Sequence, residues 1–180
     1  MSTEGYETAQ ERIRACRERG DSGLDLRKLG LTTLPPEIGE LTALTSLDLR
    51  DNELTTLPPE IGQLTALTAL YLGDNRLTTL PPEIGGLTAL TAVHLWNNKL
   101  EALPPEIGDL TALTSLHLPF NKLETLPPEI GHLTALTTLY ITGNRLTALP
   151  RCVLERAGSD LTLEALGNPL RQPPLRVVEQ

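Results

Sequence analysis

The chain has 180 residues, a net charge of −8 and a pI near 4.9, and its 39% apolar content is mostly aliphatic. That length suits one domain with a sizeable core. The acidic balance argues against nucleic acid or an anionic membrane as partner, and no apolar run approaches the roughly 18 residues of a membrane-spanning helix.

The N-terminal stretch MSTEGYETAQERIRACRERG is polar and charged and lacks the apolar core of a secretion signal. Tyr6, Ala9, Ile13 and Cys16 recur at helical spacing, acidic residues precede them and Gly20 follows. This predicts a capping helix within residues 1–22, lying across the first strand, with Arg17 and Arg19 compensating its dipole. Gly23 to Leu31 (GLDLRKLGL) then reads as a degenerate strand unit, with Leu29 where later units carry asparagine. Cys16 and Cys152 fall at opposite ends of the sequence, which favours a reduced, cytoplasmic chain.

Five units of 23 residues follow, beginning at Leu31, Leu54, Leu77, Leu100 and Leu123. Each fits L-x-x-L-P-P-E-I-G-x-L-T-A-L-T-x-L-x-L-x-x-N-x, with Val93 and Ile141 as conservative departures. Leu47 and Leu49 alternate with Ser46, Asp48 and Arg50, a period of two that predicts a short strand. Successive strands are predicted to stack in parallel about 4.8 Å apart, because no single unit can bury its own leucines. Asn52, Asn75, Asn98, Asn121 and Asn144 fall just after each strand, where a side-chain amide can satisfy buried backbone groups as a ladder. The PPEIGxLTAL segment predicts an extended entry and a short 3₁₀ or α turn on the outer face. Its Ile, and the Leu and Ala of LTAL, are expected to point inward. Glu37, Glu60, Glu83, Glu106 and Glu129 would form an acidic convex ridge.

The pattern predicts an α/β solenoid, an arc with a short parallel β-sheet on its concave face and short turns or 3₁₀ helices on its convex face. The repeats occupy 23–145, and 146–180 hold a degenerate last repeat and a cap or linker. There LPRCVLERAGSD replaces the turn segment with a more helical one, and LEALGNPL supplies a last strand-like unit, Ala165 inward and Asn168 on the ladder. Pro173 and Pro174 stop regular structure, and Val177 and Val178 are expected to cover the last leucines.

Comparing one unit with the next reveals where the sequence is free to vary. One strand column reads Asp48, Tyr71, His94, His117, Tyr140; the next outward column reads Arg50, Gly73, Trp96, Pro119, Thr142. The position after that reads Asp51, Asp74, Asn97, Phe120, Gly143, and the residue beyond the ladder Glu53, Arg76, Lys99, Lys122, Arg145. Alternation sends the strand columns out of the concave face. Tyr71, Trp96, Phe120 and Tyr140 lie in these columns, as do His94 and His117. Rings anchor interfaces at low entropic cost. Asp48, Arg50, Tyr71, His94, Trp96, His117, Phe120 and Tyr140 are therefore the candidate protein- or peptide-binding residues, rimmed by Asp51, Asp74, Lys99 and Lys122. The competing reading is that the rings stack only to stabilise the sheet.

No phosphate-cradling glycine loop, C-x-x-C pair or H-E-x-x-H helix occurs. His94 and His117 share a column without a clear third ligand, and no serine has an evident His and Asp set. No catalytic, metal or cofactor residue is assigned.

The units, for example LTTLPPEIGQLTALTALYLGDNR, resemble the leucine-rich repeat superfamily in its 23-residue LPPEIG form. That resemblance implies a concave face that binds proteins, through the sites Asp48, Tyr71, His94, His117 and Tyr140 plus Arg50, Trp96 and Thr142. ERIRACRERGDSGLDLRKLGLTTLP and GNPLRQPPLRVVEQ further resemble the two ends of the repeat domain in bacterial Roco-type proteins. In that family a Ras-like GTPase domain and a dimerising domain follow, which would make this a regulatory module acting on them or on another copy. A freestanding repeat protein is equally compatible.

Overall fold

The structure, a computed structural model, describes residues 3–171. The expected stop at Pro173 and Pro174 and the cover by Val177 and Val178 lie outside the described residues. A 17-residue helix, α1 (Thr3–Arg19), opens the chain. Seven three-residue strands follow: β1 (Gly23–Asp25), β2 (Ser46–Asp48), β3 (Ala69–Tyr71), β4 (Ala92–His94), β5 (Ser115–His117), β6 (Thr138–Tyr140) and β7 (Thr162–Glu164). They form one open parallel sheet in sequence order, in strict register, so that Leu24, Leu47, Leu70, Val93, Leu116, Leu139 and Leu163 make one column.

Each return to the sheet runs through a 3₁₀ turn, at Pro36–Glu40, Pro59–Gln63, Pro82–Gly86, Pro105–Asp109 and Pro128–His132. The first proline of each pair is extended and the second opens the turn, where a missing N–H costs nothing. The isoleucine of every turn is buried with the strand leucines in one continuous core. The alanine of LTAL does not join them. Ala43 is exposed and Ala66, Ala89, Ala112 and Ala135 are half-buried. A turn closed by Leu44 N–H on the Leu41 carbonyl (2.9 Å) puts both leucines inside and leaves the two residues between them on the outer surface.

Two hydrogen-bond ladders tie neighbouring repeats. In the first, Asn98 Nδ2 donates to the carbonyl of Leu72 in the repeat before (2.9 Å) and of Leu95 in its own (3.2 Å). Its Oδ1 accepts from Leu77 N–H at 3.0 Å. The same pattern recurs from Asn52 to Asn168. The second ladder was not anticipated: Thr45, Thr68, Thr91, Thr114 and Thr137 each donate Oγ1 to the carbonyl one repeat earlier, at 2.9–3.1 Å.

The ends use other chemistry. Ala9, Ile13 and Cys16 of α1 are buried against the first repeat, Gln10 donates to Glu37 at 3.2 Å, and Arg17 pairs with Glu40. Gly20, at φ 66°, ends the helix. At the other end α2 (Arg151–Arg156) replaces the 3₁₀ turn, and Arg156 donates to the carbonyls of Leu133 (2.9 Å) and Leu136 (2.5 Å). Ala165 is buried and Asn168 takes the last ladder position. Cys16 and Cys152 are both free thiols.

Asn98 is only 7% exposed, so Asn98→Ala strands the Leu77 N–H without water to replace the amide, and takes one of two amide donors from the carbonyls of Leu72 and Leu95, which keep Asn75 and Asn121. The expected loss is about 2–3 kcal/mol in a urea titration, against about 1 kcal/mol for Thr91→Val, whose hydrogen bond lies at the surface.

Candidate protein-binding face

Strand register fixes the site. Asp25, Asp48, Tyr71, His94, His117, Tyr140 and Glu164 are successive partners across the seven strands, all on the face opposite the buried leucines. The four rings meet in an unbroken row, the first two pairs tilted at 56° and 45° and the last stacked at 26°. Tyr71 and His94 lie 5.0 Å apart between centroids, His94 and His117 4.3 Å, and His117 and Tyr140 4.6 Å. All four are half-buried, each with one edge left for solvent or a ligand.

An ion pair closes the N-terminal end of the stack. Arg50 grips Asp48 in two-pronged fashion, Nε to Oδ1 at 3.0 Å and Nη2 to Oδ2 at 2.6 Å, and its guanidinium carbon lies 5.2 Å from the Tyr71 ring centroid. Arg27 repeats the pattern on Asp25 (2.7 Å) and reaches Asp48 at 3.5 Å. The bond from Arg27 holds the Asp25 carboxyl down to about 2. Asp48 and Arg50 thus engage each other first and present a neutralised pair on the outward strand face.

Trp96 stands in the next column and makes no ring pair with the stack. Its indole leans back over Gly73 of the preceding repeat, where a Cβ would fall 2.3 Å from the ring. Gly73 is therefore the seat that lets Trp96 lie flat beside the stack, half-buried. The glycine in a column otherwise carrying side chains was the available signal for this seat. Phe120 stands apart from the other candidates. It is 61% exposed, on the loop after β5, with its ring over Gly143 of the next repeat.

Ser115 Oγ and His117 Nε2 are 2.9 Å apart, because residues two apart in a strand share a face. No carboxylate bonds to that histidine among the described residues, and no group of three or more His, Cys, Asp or Glu gathers there to hold a metal ion. Burial pushes both histidines below the usual 6.5; His117 and Arg50 push His94 further the same way, while Glu164 pulls His117 partly back. The two imidazoles are therefore predominantly neutral at neutral pH.

An open parallel sheet of repeating strands with 3₁₀ returns, and an outward face free of core duties, defines a leucine-rich repeat solenoid. Comparison with known proteins agrees. The family model described as "Leucine-rich repeat region" matches residues 23–91, and that described as "Leucine rich repeat" matches 88–146. The chain belongs to the leucine-rich repeat superfamily, whose domains generally mediate protein–protein interaction. No curated protein matches it significantly. Among solved structures it is similar to a leucine-rich repeat protein of Leptospira interrogans, at 39% identity and a TM-score of 0.62 over 81% of this chain, which spans 43% of that protein's length. It is also similar to Pollen Receptor Kinase 3 (27% identity, TM-score 0.73, covering 88% of this chain and 79% of the other). A third likeness is to the PEPR1-AtPEP1 structure (28%, 0.69, 77% and 20%). Among the described residues no helix is long and apolar enough to cross a membrane.

Two measurements check this geometry. Gly73→Ala unseats the indole, so the emission of Trp96, the chain's only tryptophan, shifts to the red while the far-ultraviolet circular dichroism stays unchanged. The fold favours neutral imidazoles, so the unfolded chain takes up protons first on acidification. The stabilising contribution is complete above 6.5 and falls away as pH drops through the lowered folded values. Urea midpoints taken from about pH 7.5 to 5 should fall for wild type more than for His94→Gln/His117→Gln.

Proposed function

We propose that this chain is a non-catalytic interaction module whose concave face binds a protein or peptide. The surface is Asp48, Arg50, Tyr71, His94, Trp96, His117, Phe120 and Tyr140. The observation that carries the reading is the continuous ring stack, with centroids 4.3–5.0 Å apart, lying on the one face the core does not use. Pre-stacked rings lose little further freedom on binding, and neutral histidines cost little to desolvate. The likeness to PEPR1-AtPEP1 and to a pollen receptor kinase supports a recognition role for such a solenoid.

A second reading keeps the face and changes its occupant. On the resemblance of both ends to Roco-type repeat domains, the hollow would pack against a GTPase or dimerising domain of a longer parent, or against another copy. Light scattering that gives one monomeric mass across the whole concentration range would remove the self-associating form.

The Tyr71→Ala/Trp96→Ala double variant tests the first reading. Both residues stand outside the leucine core, so the variant should fold and melt cooperatively. Its affinity for a protein captured by the wild-type chain from its native host should fall about 100-fold. Unchanged affinity would remove the concave face as the site.

A further inference from the structure

The concave face is not uniform in charge. The repeats of β2 and β3 carry Asp48, Asp51, Glu53 and Asp74 on their outward columns, and Glu164 follows on β7. Between them the repeats of β4, β5 and β6 have no carboxylate from the ring column to the residue beyond the ladder. That stretch instead carries Lys99, Lys122 and Arg145 in line, one per repeat, beside Trp96, Pro119 and Phe120. In a chain of net charge −8 this is a cationic, ring-bearing island. Among the described residues Lys99, Lys122 and Arg145 form no ion pair, whereas Arg76 in the same column holds Glu53 at 3.1 Å. Glu101 and Glu124, two residues further along the chain and exposed, are not within ion-pair distance of these cations.

Phe120 occupies the middle of the island at a cost. Its column turns through left-handed backbone in every repeat: Lys28 and Asp51 have φ 58°, Asp74 and Asn97 53°, Phe120 58° and Gly143 69°. Asp, Asn and Gly tolerate that conformation; a bulky aromatic there is an outlier. The phenylalanine is strained and 61% exposed, so apart from its contact over Gly143 it adds nothing to the core. Strain together with exposure marks a residue kept for an external contact.

We infer that the island formed by Phe120, Trp96, Lys99, Lys122 and Arg145 takes an acidic segment of a protein partner, with Phe120 as the apolar anchor and the three cations pairing with carboxylates on either side of it. This rests on the concave-face reading and gives its partner a chemistry. A nucleic acid fits less well, since three cations on a strongly acidic chain neutralise few phosphates.

The test selects a displayed library of random dodecapeptides on the intact chain and measures the leading peptides by fluorescence anisotropy, with a single-stranded oligothymidylate alongside. The selected peptides should be rich in Asp and Glu around an apolar residue. They should bind about 10-fold or more weaker to Lys99→Ala/Lys122→Ala/Arg145→Ala, and weaken as sodium chloride rises from about 50 to about 500 mM. Phe120→Asn restores the residue type of the sister repeat. It should raise the melting temperature while lowering affinity about 10-fold, a pair of opposite signs that a purely structural phenylalanine would not give. Neutral or basic peptides, tighter binding of the oligothymidylate, a charge variant that binds as wild type, or a Phe120→Asn variant that melts lower or binds equally well would each overturn the inference. If the selected peptides are not acidic yet lose binding with Tyr71→Ala/Trp96→Ala, the concave-face reading stands and only this inference falls. If no peptide is enriched, or if that double variant binds them unchanged, both fall.

Discussion

No repeat of this chain satisfies its own backbone. The amide of Asn75 holds the Leu54 N–H and the Leu49 carbonyl of the repeat before it, and Thr68 donates to the Thr45 carbonyl. The leucines follow the same rule, since a strand of three residues buries its one inward side chain only against its neighbours. Stability is therefore a chain of nearest-neighbour terms. The ends need residues that the repeat pattern does not supply: Gln10 and Arg17 reach Glu37 and Glu40 at the front, and Arg156 donates to the carbonyls of Leu133 and Leu136 at the back.

The ladders also determine what the outward face can be. Once register is locked, any side chain in the strand column stands over its counterpart one strand away, and rings placed there must stack. Each such pair adds about 0.5–1.5 kcal/mol beyond simple burial. The stabilising role of Tyr71, His94, His117 and Tyr140 and the recognising role proposed for them are thus not rivals. The contacts that hold the rings to one another also remove the freedom that binding would otherwise have to remove.

Much of this was legible in the sequence because period carries it. Leu47 and Leu49 announce the strand, Asn52 and its copies the ladder, and PPEIG the turn. What stayed hidden lies between repeats, or in residues whose role depends on backbone direction. Thr45 and its copies look like any surface threonine of LTALT, because their acceptor is 23 residues away and appears only once the strands are stacked. Ala43 looked inward because it is apolar, yet the tight turn between Leu41 and Leu44 leaves it outside. Trp96 was assigned to its own column, whereas the indole crosses to the glycine of the neighbouring repeat. The Ser115–His117 contact joins residues i and i+2 on one strand, which face the same way. The left-handed turn at Phe120 was readable, since Asp, Asp, Asn and Gly in the sister positions all favour that backbone.

Whole-chain charge describes the molecule at long range and the hollow poorly. The turn glutamates that contribute to the net −8 sit on the 3₁₀ side, with the leucine core between them and the strand face. At physiological ionic strength, exposed charges are screened over about 8 Å. A ligand against the sheet therefore responds first to the columns it touches. Those columns change from paired Asp and Arg near β2 to repeats β4 to β6, where rings stand beside cations that form no ion pair among the described residues. Because strands and turns are built from other columns, the outward residues can form this gradient repeat by repeat without disturbing the core. On the proposed function, that separation between the residues that build the repeats and those on the outward strand face is what would let a solenoid of near-identical units recognise one partner.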